Sequence, residues 1–278
     1  MSVEEAFASC ESAVRRHDPD RYYAALFVPA DRRPLLFALY AFNYEIARVA
    51  EHAREPMLGE IRLQWWREAV ESARAQAPIA HDVARAMAAL FAQARLPQGE
   101  FEAMLEARSL TGAEPFADMA ALEDYADKTS AAVMRLALRI MGAGDAHDAL
   151  AREAGIAYAL TGLLRALPFH AAQHRLYLPA DLLAREHLSR EEIFAGHASP
   201  KLASVRRGIA ERAAARLASA RRRPRPGKFI AAVLPAALVP LYLKRMTKPG
   251  FNPFRDTADV PLPRRQWRLL HSALRGTI

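Results

Sequence analysis

The chain has 278 residues, a single cysteine and a formal charge of +8, with 52% hydrophobic residues. That length buries enough apolar surface to hold a fold without cross-links, and the lone Cys10 excludes an intramolecular disulfide framework and a cysteine-based zinc cluster. All but five of the 39 basic residues are arginine, which invites an anionic partner, although arginine and alanine bias is also what a GC-rich genome produces.

The first twenty residues carry acids early and have no apolar h-region, so they do not read as a secretory signal and a cytoplasmic location is expected. Asp18-Pro19 is a helix start with an N-cap and a proline in the first turn, and Asp31 before Pro34 is a second. Apolar residues then recur at three-and-four spacing through Arg33 to Glu51, Leu58 to Arg74, His81 to Arg95 and Gly99 to Leu110. The same period predicts helices over Met119 to Met141, Ala146 to Leu167, Pro179 to Glu186, Ser189 to Ala195, Pro200 to Arg222, Lys228 to Met246 and Pro263 to Leu274. Alternating strand patterns and Asn-Gly or Asp-Gly hairpin signals are missing, so the expected fold is all-α. No linker divides the chain and no repeat recurs, so one domain over 1–278 is expected.

Two stretches raise the question of membranes and nucleic acid. The run Phe229 to Leu243 has fifteen residues and contains Pro235 and Pro240. A bilayer crossing needs about 20, so a buried, kinked helix is expected. Core packing is also the bland reading of Leu58 to Ala69, with an apolar face for a membrane or partner as the alternative. Arg221-Arg222-Arg223-Pro224-Arg225 reads as a solvated helix end. No aromatics are interleaved with it, so no nucleic-acid partner is expected.

Three stretches carry a resemblance. They are Leu39-Tyr40-Ala41-Phe42 with Leu63-Gln64-Trp65-Trp66-Arg67 one helix later, then Gly155-x-Ala157-x-x-Leu160-Thr161-x-Leu163-Leu164-Arg165, then Arg175-x-Tyr177-Leu178-Pro179. In order and spacing they resemble the squalene/phytoene synthase family of head-to-head prenyl synthases. The resemblance implies an isoprenoid-synthase-like helical fold around a central cavity. In active members it implies acidic clusters after Tyr-Ala-Phe and after Leu-Arg, which hold Mg²⁺ against an allylic diphosphate so that the departing charge is neutralised.

This chain departs from that pattern. It has Ala47 and Arg48 where acids stand in the first cluster, with only Glu51 retained, and Ala166 and His170 in the two acidic places of the second. Imidazole is a poor ligand for hard Mg²⁺, and Pro168 removes an amide donor, so the helix is expected to bend or stop there. The expected cofactor is none, with Mg²⁺ only if catalytic activity is retained. His170-x-x-x-His174 has the spacing of a helical zinc pair, but no third ligand is evident.

What remains is a set of anion-binding candidates: Tyr40, Arg48, Glu51, Arg67, Lys128, Arg165, His170, Arg175 and Tyr177. These could line a vestigial cationic cavity for an isoprenoid diphosphate or a lipid headgroup. The bland alternative pairs the arginines with Glu45, Glu60, Asp124 or Asp127 to hold helices together. Pro56-Met-Leu-Gly-Glu60 and Leu164-Arg-Ala-x-Pro-x-His170 are similar to a divergent branch of the family that includes the mitochondrial complex I assembly factor. That likeness implies a non-catalytic or catalytically altered protein that assists respiratory complex I assembly, with a complex I subunit as partner and peripheral contact with the inner membrane. The competing expectation is an active transferase condensing two prenyl diphosphates.

Overall fold

The structure, a computed structural model, describes residues 2–52, 55–77, 80–109 and 116–278, with the side chains of 50–52 outside that description. Among these residues every regular element is helical, and one isolated bridge pairs Phe116 with Pro179.

The chain opens with α1 (Val3–His17), a helix the periodicity reading passed over. Ser2 and Glu5 close a reciprocal capping box at its start. Ala6, Cys10 and Val14, four residues apart, bury one stripe against α3 (Arg33–His52) and α5 (Asp82–Gln93). Between them, α2 (Pro19–Ala25) starts on an Asp18 cap that accepts the Arg21 amide. The hairpin of α4 (Pro56–Arg74) and α5 closes this half, with α6 (Gln98–Glu106) beside α4.

The predicted helix over Met119 to Met141 is interrupted. It divides into α7 (Met119–Ala126), one π turn (Asp127–Ala131) and α8 (Ala132–Ile140). Here the Thr129 hydroxyl bonds back to the Tyr125 carbonyl at 2.7 Å. Such π turns insert a residue and re-aim side chains at functional sites. The central helix α9 (Asp148–Ala172) packs on this turn and on α12 (Pro200–Arg221), with the short α10 (Ala180–Arg185) and α11 (Arg190–Phe194) between them in sequence.

α9 does not stop at Pro168, one of the two outcomes expected there. The helix runs through it to Ala172, held by Leu167 and Ala171, which are buried on either side of the proline. Proline removes one ladder bond, and burial of its neighbours outweighs that loss. The region expected to form one kinked helix from Lys228 is also different. Two 3₁₀ turns (Gly227–Ala232 and Leu234–Leu238) precede α13 (Val239–Met246), and Pro235 and Pro240 sit in first turns, where their missing amides cost nothing. Ile230 to Val239 are all buried, so this stretch is core and offers no surface to a membrane. The last helix, α14 (Leu262–Arg275), packs on the second 3₁₀ turn and on α2.

Many arginines do brace helices. Glu123 accepts bidentate pairs from Arg212 and Arg216, and although burial opposes its charge, these guanidiniums draw its pKa down to about 2. Arg216 also reaches Glu153. Arg135 and Arg152 share Asp127.

Gly155 marks the closest approach of α9 to the π turn. A Cβ there would lie 2.7 Å from the Ala131 nitrogen, a backbone atom that cannot step aside. Gly155→Ala is expected to cost about 1–3 kcal/mol by overpacking, lowering the thermal midpoint by roughly 3–10 °C. The control Gly162→Ala, where nothing lies within 4 Å, should leave it unchanged or raise it.

Candidate functional site

The cavity opens where α3 and α9 face each other across α2 and the π turn. Its volume is about 280 Å³. On α3 the lining residues are Asn43 and Ala47, one helical turn apart, and on α9 they include Ala159, Gly162, Ala166 and His170. These are the rows on which the resemblance expects carboxylates. At the acidic places Ala47, Ala166 and His170 the chain presents two methyl groups and an imidazole instead.

The charge in the cavity is cationic. Arg21, Arg108 and Arg175 line it, and among the described residues no Asp or Glu does. Arg21 is held from behind by Asp18 at 2.6 Å and lies over the rings of Tyr40 and Tyr158, 5.8 and 5.1 Å from their centroids. Burial works against its charge, yet Asp18 raises its pKa above the ordinary arginine value. Arg108 is in the opposite state. Its guanidinium donates to the Met104 carbonyl at 2.8 Å and to Asn43 Oδ1 at 2.7 Å, while its buried Nε has no partner. Burial lowers its pKa, and the nearby Arg21 lowers it further.

An aromatic wall completes the site. The His170 ring lies 4.5 Å from that of Tyr177, and Tyr177 packs against Tyr125 and Phe116. Burial and then the Arg175 charge press the His170 pKa down to about 4, so the imidazole is neutral near pH 7. The folded value lies below that of the unfolded chain, so His170 adds stability that is fully present above about pH 6.5 and lost as pH falls toward 4. An NMR titration of the ring should show a midpoint near 4, and Arg175→Ser should raise it. A midpoint at 6 or above would show a hydrated imidazole.

Of the nine candidates read from sequence, His170, Arg175 and Tyr177 line the cavity and Tyr40 lies beneath Arg21. Glu51 falls outside the described side chains. The other four are elsewhere. Arg48 is one residue past the cavity-facing row and bonds Glu45 at 3.3 Å. Lys128 pairs with Asp124 at 2.8 Å on the surface, and Arg67 bonds Gln64 on its own helix. Arg165 turns away toward α2 and α14, over the Tyr242 ring and beside Asp20 and Asp259. The zinc spacing also dissolves, because α9 ends at Ala172 and His174 sits in the following turn at φ 54°, against Phe194.

Arg21, Arg108, Asn43 and Tyr125 were not singled out from sequence. Arg21 had a signal, since it stands three residues after a capping aspartate in an aromatic helix. Arg108 had none, because its role depends on burial between elements 65 positions apart.

Mg²⁺ needs several hard oxygen ligands. The lining set offers guanidinium, imidazole, amide and hydroxyl groups, and its unpartnered buried atoms are nitrogens of Arg108 and His170. Among the described residues no group of three or more His, Cys, Asp or Glu could hold a metal ion. Among the described residues the donor set does not fit Mg²⁺.

The helical scaffold is shared with known prenyl synthases. A dehydrosqualene synthase solved in complex with ligand superposes with a TM-score of 0.82 over 98% of this chain and 96% of that one, at 17% identity. The squalene synthase HpnC from Alicyclobacillus acidocaldarius superposes at 0.69 over 99% and 95%, at 22% identity. The fold is therefore that of the helical isoprenoid synthases. The squalene/phytoene synthase family model matches residues 14–268, and the chain belongs to that family. It is similar to NADH dehydrogenase (ubiquinone) complex I, assembly factor 6, of Homo sapiens, at 28% identity over 252 residues, covering 89% of this chain and 76% of the relative. It is also similar to the presqualene diphosphate synthase of Rhodopseudomonas palustris, at 30% identity over 205 residues, covering 72% of each.

Proposed function

We propose that this chain is a catalytically inactive member of its family that holds an isoprenoid diphosphate or another anionic lipid in the α3/α9 cavity and assists respiratory complex I assembly. The observation that carries this reading is a cavity in which Ala47, Ala166 and His170 stand in the acidic places and Arg21, Arg108 and Arg175 supply the charge. Ionising an allylic diphosphate requires the departing charge to be stabilised as it develops, and loss of one such stabiliser costs roughly a hundred-fold or more. Arginines can bind the ground-state anion by charge-assisted hydrogen bonds. Without the metal cluster they bind more than they activate. The similarity to the assembly factors supports the cellular role.

The test is incubation of the purified chain with farnesyl or geranylgeranyl diphosphate, Mg²⁺ and NADPH, with analysis of products and released diphosphate. Binding without turnover is expected, and diphosphate release at enzymic rates would discard the reading. Deletion of the gene should lower complex I activity and leave carotenoids and hopanoids unchanged. The reverse pattern would favour the transferase.

Peripheral contact with an anionic membrane is assigned to α14. No helix among the described residues is long and apolar enough to cross a bilayer. On α14, Trp267, Leu270 and Leu274 share one solvent face, with Trp267 69% and Leu274 80% exposed. Arg264 and Arg275 flank them, and the helix carries no acid. Trp267→Ser with Leu274→Ser should cut co-sedimentation with phosphatidylglycerol vesicles several-fold at an unchanged melting point. Equal sedimentation would remove α14 from the role. On α4, Met57, Leu58, Ile61 and Trp65 are also exposed, but Leu63, Trp66 and Ala69 pack inward.

A further inference from the structure

A second cationic cavity, of about 400 Å³, lies between the start of α12 and the loop after α13. Its polar lining includes Ser199, Arg206, Arg207, Thr247, Lys248 and Asn252, and no Asp or Glu lines it. Arg206 is only 6% exposed. It donates to the Met246 carbonyl at 2.9 Å and lies 5.0 Å from the Phe251 ring centroid, and its buried Nε has no partner. Among the described residues Arg206, Arg207 and Lys248 form no ion pair.

Arg206 shares that state with Arg108 of the first cavity. Arg21, Arg135 and Arg216 are also drawn from solvent, and each has a carboxylate against it. Burial of a guanidinium without a counter-charge is costly, and for Arg206 burial alone sets the direction of its pKa, downward. Two acids of the segment after α13 are engaged with other groups. Asp256 accepts the Asn252 amide, and Asp259 bonds Arg165. The positive end of the 22-residue α12, capped by Ser199, adds to the same field. Leu202, Ala203, Met246 and Phe251 form an apolar wall beside the charges.

We infer that this cavity is a binding site for the phosphate group of a phosphate ester with an apolar body, held by Arg206, Arg207 and Lys248. The ester is a phosphomonoester, either the headgroup of phosphatidic acid or a free phosphorylated metabolite, since both present the same dianion. The site is separate from the α3/α9 cavity, and its assignment does not depend on the activity of that cavity.

Calorimetric titration with dihexanoyl phosphatidic acid and with geranyl monophosphate tests it. Arg206 is buried and its replacement could unfold the chain, so the informative variant is the surface pair Arg207→Ser with Lys248→Ser. The pair should weaken binding ten-fold or more at an unchanged melting point. The same loss should occur in an Arg108→Met background, in which the first cavity is impaired. Co-sedimentation with phosphatidylcholine vesicles containing phosphatidic acid then separates the sources. Loss of sedimentation in the pair variant identifies a lipid headgroup, and equal sedimentation with weakened binding of the soluble esters identifies a free metabolite. Equal binding of both esters by the pair variant and the wild type, or no binding of either, would overturn the assignment.

Discussion

Asp20→Asn is expected to destabilise the chain by about 3–5 kcal/mol, the range for removing one partner of a buried ion pair. Asp20 is 4% exposed and gathers four groups from distant parts of the chain. Arg265 of α14 donates to it at 2.7 Å, Tyr242 of α13 at 2.6 Å and Tyr158 of α9 at 3.4 Å, and Arg165 approaches to 3.6 Å. Burial opposes the charge on Arg265, but Asp20 outweighs it and raises the Arg265 pKa. Asparagine preserves the shape and can still accept from a tyrosine hydroxyl. It leaves two guanidiniums facing a neutral group. Calorimetry should show a fall of roughly 10 °C or more. Arg265→Met should cost much less in the Asp20→Asn background than alone, the signature of a coupled pair. A fall below about 2 °C would show that the network is worth no more than a surface ion pair.

That network also explains what the sequence could show. Arg165 sits in a family-like stretch, and its position suggested a cavity residue. The structure instead uses it to tie α9 to α2 and to the segment before α14. Helix type was legible because apolar spacing records which face is buried. Local disruptions were not. The π turn at 127–131 answers to packing against α9, and the 3₁₀ turns at 227–238 to packing against α2 and α8 for the first and α9 and α14 for the second, which a local pattern does not encode. The substitutions at Ala47, Ala166 and His170 could be read directly because the resemblance fixes their places. Their replacements could not, since Arg21 comes from α2 and Arg108 from the segment after α6.

Arg108→Met should separate ligand binding from folding. In the ligand-free chain Arg108 sits among the Met104 carbonyl, Asn43 and a second guanidinium, with no carboxylate lining the cavity among the described residues. Methionine fills similar space without charge, so the relief of an uncompensated cation offsets the lost hydrogen bonds. The melting point without ligand should stay within a few degrees of wild type. Binding should not. An anion that neutralises Arg108 in a buried site loses roughly 2–5 kcal/mol when that partner is removed, about thirty-fold or more in affinity. Titration with farnesyl diphosphate in EDTA is the measurement. The wild type should bind equally with EDTA and with Mg²⁺, because guanidiniums take the place of metal, and Arg108→Met should bind weakly in both. Affinity that collapses in EDTA would place a metal at the centre of recognition. Equal affinity in the variant would move the ligand away from Arg108, and with it the reading of this cavity.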